Sequence, residues 1–210
     1  MTVQNSASVT LFDDKKSSPE SPRTVIVMGV NRGGTSMVAG AVRGFGIFLG
    51  DNLPVNNEDP DFTYKSVPHM TAAILARNAK YQSWGWKFPM AAHYLEELLP
   101  VIRNPVFVIV ARDVAATAGA LTRWDNRSRS AAISEALIQT QMNFVMALRW
   151  QVPTLFVSYE RAANDPELLL QELGSFLDLK VTVDHERMID FMARGSYKSF
   201  DDVVLSAPGA

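Results

Sequence analysis

The sequence predicts an α/β fold of three layers, a parallel β-sheet covered by helices on both faces. Three observations carry this. Short apolar runs alternate along the chain with segments of helical spacing, the order that parallel strands joined by crossovers require. The run "PVFVIVARD" is apolar at successive positions from Val106 to Ala111, as a strand buried on both faces must be. Finally, "VIVMGVNRGGTSMVAGAVRGFG", Val25 to Gly46, reads as a buried strand, a glycine-bearing turn and an amphipathic helix in immediate succession.

Taken in order, residues 1–23 are polar, with "DDKKSSPESPR" near their end, and are expected as a flexible tail dispensable for chemistry. The first strand is expected over 24–28. The helix after it places Met37, Val38, Ala41, Val42 and Phe45 on one face and stops at Gly46. The polar loop "GDNLPVNNEDPDF" is long for a connection without structure, and such loops are often functional. A helix is expected near 67–79, then a short strand in "YQSWGWKFP" ending near Lys87, and a short helix over 91–99. The inner strand 106–111 leads to a helix over 114–123. The basic turn "RWDNRSRS" then precedes a long helix over 131–150. Pro153 opens the buried strand "TLFVSY". Asp165, Pro166 and Glu167 supply a cap, a proline at the first position and a first-turn acid for a helix ending near Leu177. A last helix is expected over 184–192. The organisation is one domain over 24–200 between the N-terminal tail and a polar tail at 201–210.

Composition narrows the function classes. The 210 residues suffice for one domain with a full core, and 47% are apolar. A net charge of −2 argues against nucleic acid held by bulk charge. The chain has no cysteine, which removes disulfides, thiolate metal sites and cysteine catalysis. No apolar run reaches the ~18 residues of a membrane span. The start lacks the basic-then-apolar order of a signal peptide. The expectation is a cytoplasmic protein with neither nucleic acid nor membrane as partner.

The turn after the first strand carries the chemistry. Consecutive backbone N–H groups at a helix N-terminus form an anion site, and the helix dipole adds to it. Gly29, Gly33 and Gly34 permit close approach of the anion, Thr35 and Ser36 supply hydroxyls, and Arg32 is a planar, always-charged donor. Asn31 completes the expected binding set. Thr35 stands where a nucleotide triphosphatase would carry lysine, so the loop is built for a different terminal group.

"GVNRGGTS" resembles the phosphosulfate loop of the sulfotransferases, with Gly33 in place of their usual serine. The likeness continues in order. "WGWKFP" resembles the family's second-strand segment, with Lys87 at the lysine position and Phe88 replacing a common aspartate. "FVIVARDVAATAGAL" resembles the 3′-phosphate segment: Arg112 fits, Val114 replaces a proline, and Ala120 stands where a serine is usual, with Thr117 and Thr122 nearby. "FVSYERAANDPELLLQELGSFLDL" resembles the late strand and helix, which places Tyr159 near an adenine. "ARGSYKSF" is loosely similar to an arginine-glycine phosphate loop, through Arg194 and Gly195.

This resemblance implies the P-loop NTPase-like form of the three-layer fold. It also implies transfer of a sulfuryl group from 3′-phosphoadenosine-5′-phosphosulfate to a hydroxyl of a small molecule or carbohydrate, without a metal. Arg32 and Lys87 would stabilise the charge that develops in an in-line displacement. A base must take the acceptor's proton. Family members of the bacterial type keep a glutamate in the loop after the first helix, which selects Glu58, with Asp61 and His69 as alternatives. Asp59 and His93 are the remaining candidates. A basic, aromatic turn at Arg123, Trp124, Arg127 and Arg129 suits either an anionic acceptor or a solvated helix cap. The competing readings are a P-loop kinase for a small molecule and a non-catalytic nucleotide-binding protein.

Overall fold

The computed structural model describes residues 6–18, 20–193 and 198–205. Its centre is a five-stranded sheet in the order β1-β5-β4-β2-β3. Four strands run parallel: β2 (Arg23–Met28), β3 (Ser83–Lys87), β4 (Pro105–Ala111) and β5 (Thr154–Ser158). The fifth, β1 (Ser8–Leu11), closes one edge antiparallel to β5.

Period-two side-chain alternation divides the core into two layers. Val25, Val27, Val106, Val108, Val110 and Val157 face one way, under α1 (Thr35–Gly44), α7 (Pro166–Leu177) and α8 (His185–Met192). Ile26, Met28, Trp84, Trp86, Phe107 and Ile109 face the other, under α2 (Val67–Lys80), α3 (Leu95–Leu98) and α5 (Arg129–Trp150). Trp84 and Trp86 are therefore core. α4 (Val114–Asp125) packs on α5 through Ala118, Leu121 and Ala132. The helices start where local chemistry directs: Asp113, Ser128 and Asp165 each cap the helix that follows, and Pro166 stands at the first position of α7.

β2 lies between β3 and β4, so the chain leaves β2 toward one side and later returns to its other side. Such a reversal opens a crevice at the carboxyl ends of the strands, the usual ligand position in open α/β sheets.

Three expectations are corrected. The segment expected as an N-terminal tail contains β1. It is four residues long, Ser-Val-Thr-Leu, with none of them fully buried, so its alternation is too short to stand out, and polar bonds help to hold it. The Glu172 carboxylate accepts from Ser6 Oγ at 2.7 Å, Ala7 N–H at 3.1 Å and Ser8 Oγ at 2.5 Å. The expected C-terminal tail forms a π-helical turn (Asp201–Leu205) that buries Val204 and pairs Asp201 with Arg43 at 2.7 Å. The expected helix over 91–99 is interrupted. A 3-10 turn (Ala91–His93), α3 and a second 3-10 turn (Leu99–Val101) containing Pro100 replace it. A short helix, α6 (Tyr159–Asn164), follows β5 and was not anticipated.

Candidate functional site

The turn between β2 and α1 takes its shape from two left-handed residues, Arg32 (φ 62°) and Gly34 (φ 88°). The N–H of Gly33 donates to the Val30 carbonyl at 2.9 Å, and that of Gly29 to the Pro89 carbonyl at 3.1 Å. Among the described residues no side chain caps α1, so its N-terminus leaves its dipole and donors open to an anion. Gly34 is required twice over. Its φ suits glycine, and a Cβ there would lie 2.0 Å from the Tyr159 ring. Asn31 reaches Met90 Sδ at 3.4 Å, and Thr35 and Ser36 are buried.

The loop is also held from the α5 side. Asn143 Nδ2 donates to the Gly29 carbonyl at 2.7 Å, and Gln139 Nε2 donates to Asn143 Oδ1 at 3.1 Å. Gln139 Oε1 in turn meets His93 Nε2 at 3.0 Å. The sequence reading missed both amides. Their only signal is position, two polar residues four apart on the inner face of a helix whose other inner positions are Ala132, Ala136, Met146 and Ala147.

Arg112, at the end of β4, comes to the same loop. Its Nη1 donates to the Arg32 carbonyl at 2.7 Å, and its guanidinium lies 4.8 Å from the Tyr159 ring centroid. Asp113 caps α4 instead of pairing with Arg112, whose Nε stands 3.9 Å from Glu160. Arg112 Nε and Thr117 Oγ1 are buried without a hydrogen-bond partner among the described residues. Two such donors on one strand–helix junction are what a bound oxyanion would satisfy. Tyr159 opens α6 and lies against Gly34 and Arg112, so its ring walls the phosphate loop. Arg32 itself extends toward Trp124, 6.0 Å from that ring. Arg127 pairs with Asp125 and Glu135 in its own neighbourhood, which accords with a helix-capping turn. Arg194 lies outside the described residues.

Lys87 ends β3 in register with Val27, on the α1 side of the sheet, and is 1% exposed. Its Nζ donates to Glu58 Oε1 at 2.7 Å. Burial pushes the Lys87 ammonium down to about 8, against the opposing pull of Glu58. The residues either side of Glu58 fix its place. Asn57 Nδ2 donates to the Ser36 carbonyl at 3.2 Å, and Arg43 Nη1 donates to Asn57 Oδ1 at 3.0 Å. Asp59, also buried, pairs with Arg77 at 2.5 Å. The other base candidates belong to a separate cluster: Asp61 pairs with Arg77 at 3.0 Å and with His69 at 3.1 Å. His93 is tied to Gln139.

The strand ends thus bring together an anion-binding helix N-terminus, an arginine from β4, and a buried lysine from β3 held by a carboxylate. Such a combination can hold a phosphate-like group beside an acid–base pair. A model described as the Sulfotransferase family matches residues 51–183, more than half of the chain, and the chain belongs to that family, whose members are transferases. The matched range includes Glu58, Lys87, Arg112 and Tyr159 and begins after the phosphate loop. Among solved structures, the chain is similar to the sulfotransferase domain from the Synechococcus PCC 7002 olefin synthase. The two are 16% identical with a TM-score of 0.59, over 90% of this chain and 82% of that one, a likeness of fold. A comparison with curated proteins finds no match. No helix among the described residues is long and apolar enough to cross a membrane.

Proposed function

We propose that the protein moves a sulfuryl group from 3′-phosphoadenosine-5′-phosphosulfate to a hydroxyl of a small-molecule or carbohydrate acceptor, in the cytoplasm. The observation that carries this reading is the 2.7 Å pair between buried Lys87 and Glu58, set at the strand end beside the phosphate loop. The loop N–H groups and Arg32 bind the phosphosulfate end of the donor. Arg112, with the buried Thr117 hydroxyl in place of the serine lost at Ala120, takes its 3′-phosphate. Lys87 stabilises charge on the bridging oxygen as that bond breaks, and Glu58 accepts the proton of the attacking hydroxyl. Sulfuryl transfer leaves less charge to neutralise than phosphoryl transfer, so these cations suffice without a metal.

Titration calorimetry with adenosine 3′,5′-bisphosphate tests the donor assignment. Metal-independent binding in the micromolar range is expected for the natural chain, and Arg32→Ala abolishes it because charge-assisted bonds are lost. Binding only of adenosine diphosphate with magnesium would replace this reading with the kinase. Glu58→Gln is expected to keep bisphosphate affinity and lose transfer. Full turnover by that variant would remove Glu58 from the role of base.

A further inference from the structure

Helix α5 turns one face to the core and presents another that is apolar and largely uncovered among the described residues, with Phe144 at its edge touching the Phe156 ring. Ile133, Leu137, Ile138, Phe144, Val145 and Leu148 are each between 39% and 57% exposed. At 100° per residue all six fall within one side of the helix, opposite the buried Ala132, Ala136, Gln139, Asn143 and Ala147. Together they expose on the order of 500 Å² of apolar surface, at the upper end of what a monomer usually leaves bare and the core of a standard interface of ~800 Å² per partner.

The pattern is symmetric about one residue. Leu137 and Val145 stand four positions either side of Gln141, and Ile138 and Phe144 stand three either side. Ile133 and Leu148 close the two ends. A two-fold axis requires a patch complementary to its own reverse, and a stripe that reads nearly alike in both directions from a polar centre meets that requirement. Charge selects the antiparallel sense. At the start of α5 Arg127 is offset by Asp125 and Glu135, and the exposed Arg123 and Arg129 carry the remaining positive charge. The helix ends where Arg149 holds Glu96 at 2.8 Å, beside the exposed Glu97. Antiparallel pairing sets each basic end over the other copy's acidic end, and opposes the helix dipoles favourably.

We infer that this face of α5 binds a second copy of the chain, as a two-fold dimer with the two α5 helices antiparallel and Gln141 on the axis. In that register Leu137 meets Phe144 of the second copy, Ile138 meets its Val145, and the two Gln141 side chains face each other.

The natural chain contains no cysteine, which permits a clean test. Light scattering and sedimentation on the full chain are expected to give twice the chain mass at micromolar concentration. Under mild oxidation Gln141→Cys is expected to form a disulfide dimer rapidly, since facing positions on packed helices fall within disulfide reach. Ser134→Cys, distant from its own copy in this register, is expected to remain monomeric on denaturing gels. Ile138→Glu is expected to weaken the dimer at least about a hundredfold through two buried carboxylates. Adding Val145→Lys to it restores the dimer, because each new carboxylate then meets a new ammonium. Unfolding by urea confirms that the variants fold. A natural chain that stays monomeric at hundreds of micromolar overturns the inference, as does equal cross-linking of both cysteine variants. So does a dimer that Ile138→Glu leaves intact, or a monomer that binds lipid vesicles through this face.

Discussion

Lys87 holds a charge where water is nearly excluded, and this gives it opposite effects on activity and stability. In the folded chain its proton leaves near pH 8, against an ordinary value of 10.5. Between those values the unfolded chain binds more protons than the folded one, so stability rises with pH across that window. The full effect is about 3 kcal/mol, present as a destabilisation below pH 8 and relieved as pH approaches 10.5. Under the proposed function, transfer activity is expected to run the other way, falling as pH climbs through 8, because a neutral Lys87 amine would no longer stabilise the departing oxygen. Urea unfolding and initial rates measured from pH 7 to 10 are expected to diverge in this manner, and Lys87→Met is expected to flatten the stability trend. That Lys87, Glu58 and Arg112 are candidates was legible from sequence because each stands in a short run whose neighbours single it out; the structure brings them to one end of the sheet beside the β2–α1 loop, and their roles belong to the proposed function. The support for Glu58 was not legible. Asn57 and Asp59 looked like an acidic loop, and only the fold shows one tied to the Ser36 carbonyl and the other to Arg77.

At the scale of elements, α5 is a two-sided strut. Its inner face carries Asn143, the donor to the Gly29 carbonyl, with Gln139 bonded to it, among the apolar Ala132, Ala136, Met146 and Ala147. Asn143→Leu keeps the branching of the side chain but removes the donor to that carbonyl and the acceptor of Gln139, at a cost of about 1–3 kcal/mol. The expected result is a lower urea midpoint together with weaker bisphosphate binding, since the loop loses its anchor on that side. Undiminished affinity would mean that the loop keeps its shape without α5. The elements that sequence identified well are those with strong periodicity or strong punctuation: β2, β4, and α7 behind its Asp-Pro start. It failed on β1, which is edge-placed and whose four-residue alternation is too short to stand out, and on α6, whose six residues follow β5 too closely for a separate period to show.

Over the whole molecule, strand order places the chemistry. Because β2 stands between β3 and β4, the phosphate loop, Lys87 and Arg112 meet at one crevice although they are far apart in the chain. The alternation of strands and helices indicated such a sheet, but not that β1 would seal its far edge in antiparallel sense. That strand makes the N-terminal segment structural. Deleting residues 1–11 would bare the β5 edge and strip Glu172 of its three donors. A loss on the order of 2–4 kcal/mol in urea unfolding is expected, with aggregation through the open edge. An unchanged midpoint would return this segment to the status of a dispensable tail.

The ion pair at the mouth of the crevice has a kinetic consequence. While Lys87 grips Glu58, the carboxylate is engaged and poorly placed to receive a proton. An anionic donor arriving at the loop competes for the same ammonium and releases the carboxylate. Under the proposed function the acceptor would gain a working base only after the donor has entered, and the expected order of addition is donor first. Product-inhibition patterns distinguish this from random addition: adenosine 3′,5′-bisphosphate should compete with the donor alone, and the sulfated product with neither substrate. Competition between the sulfated product and the acceptor would show that the carboxylate is free from the outset.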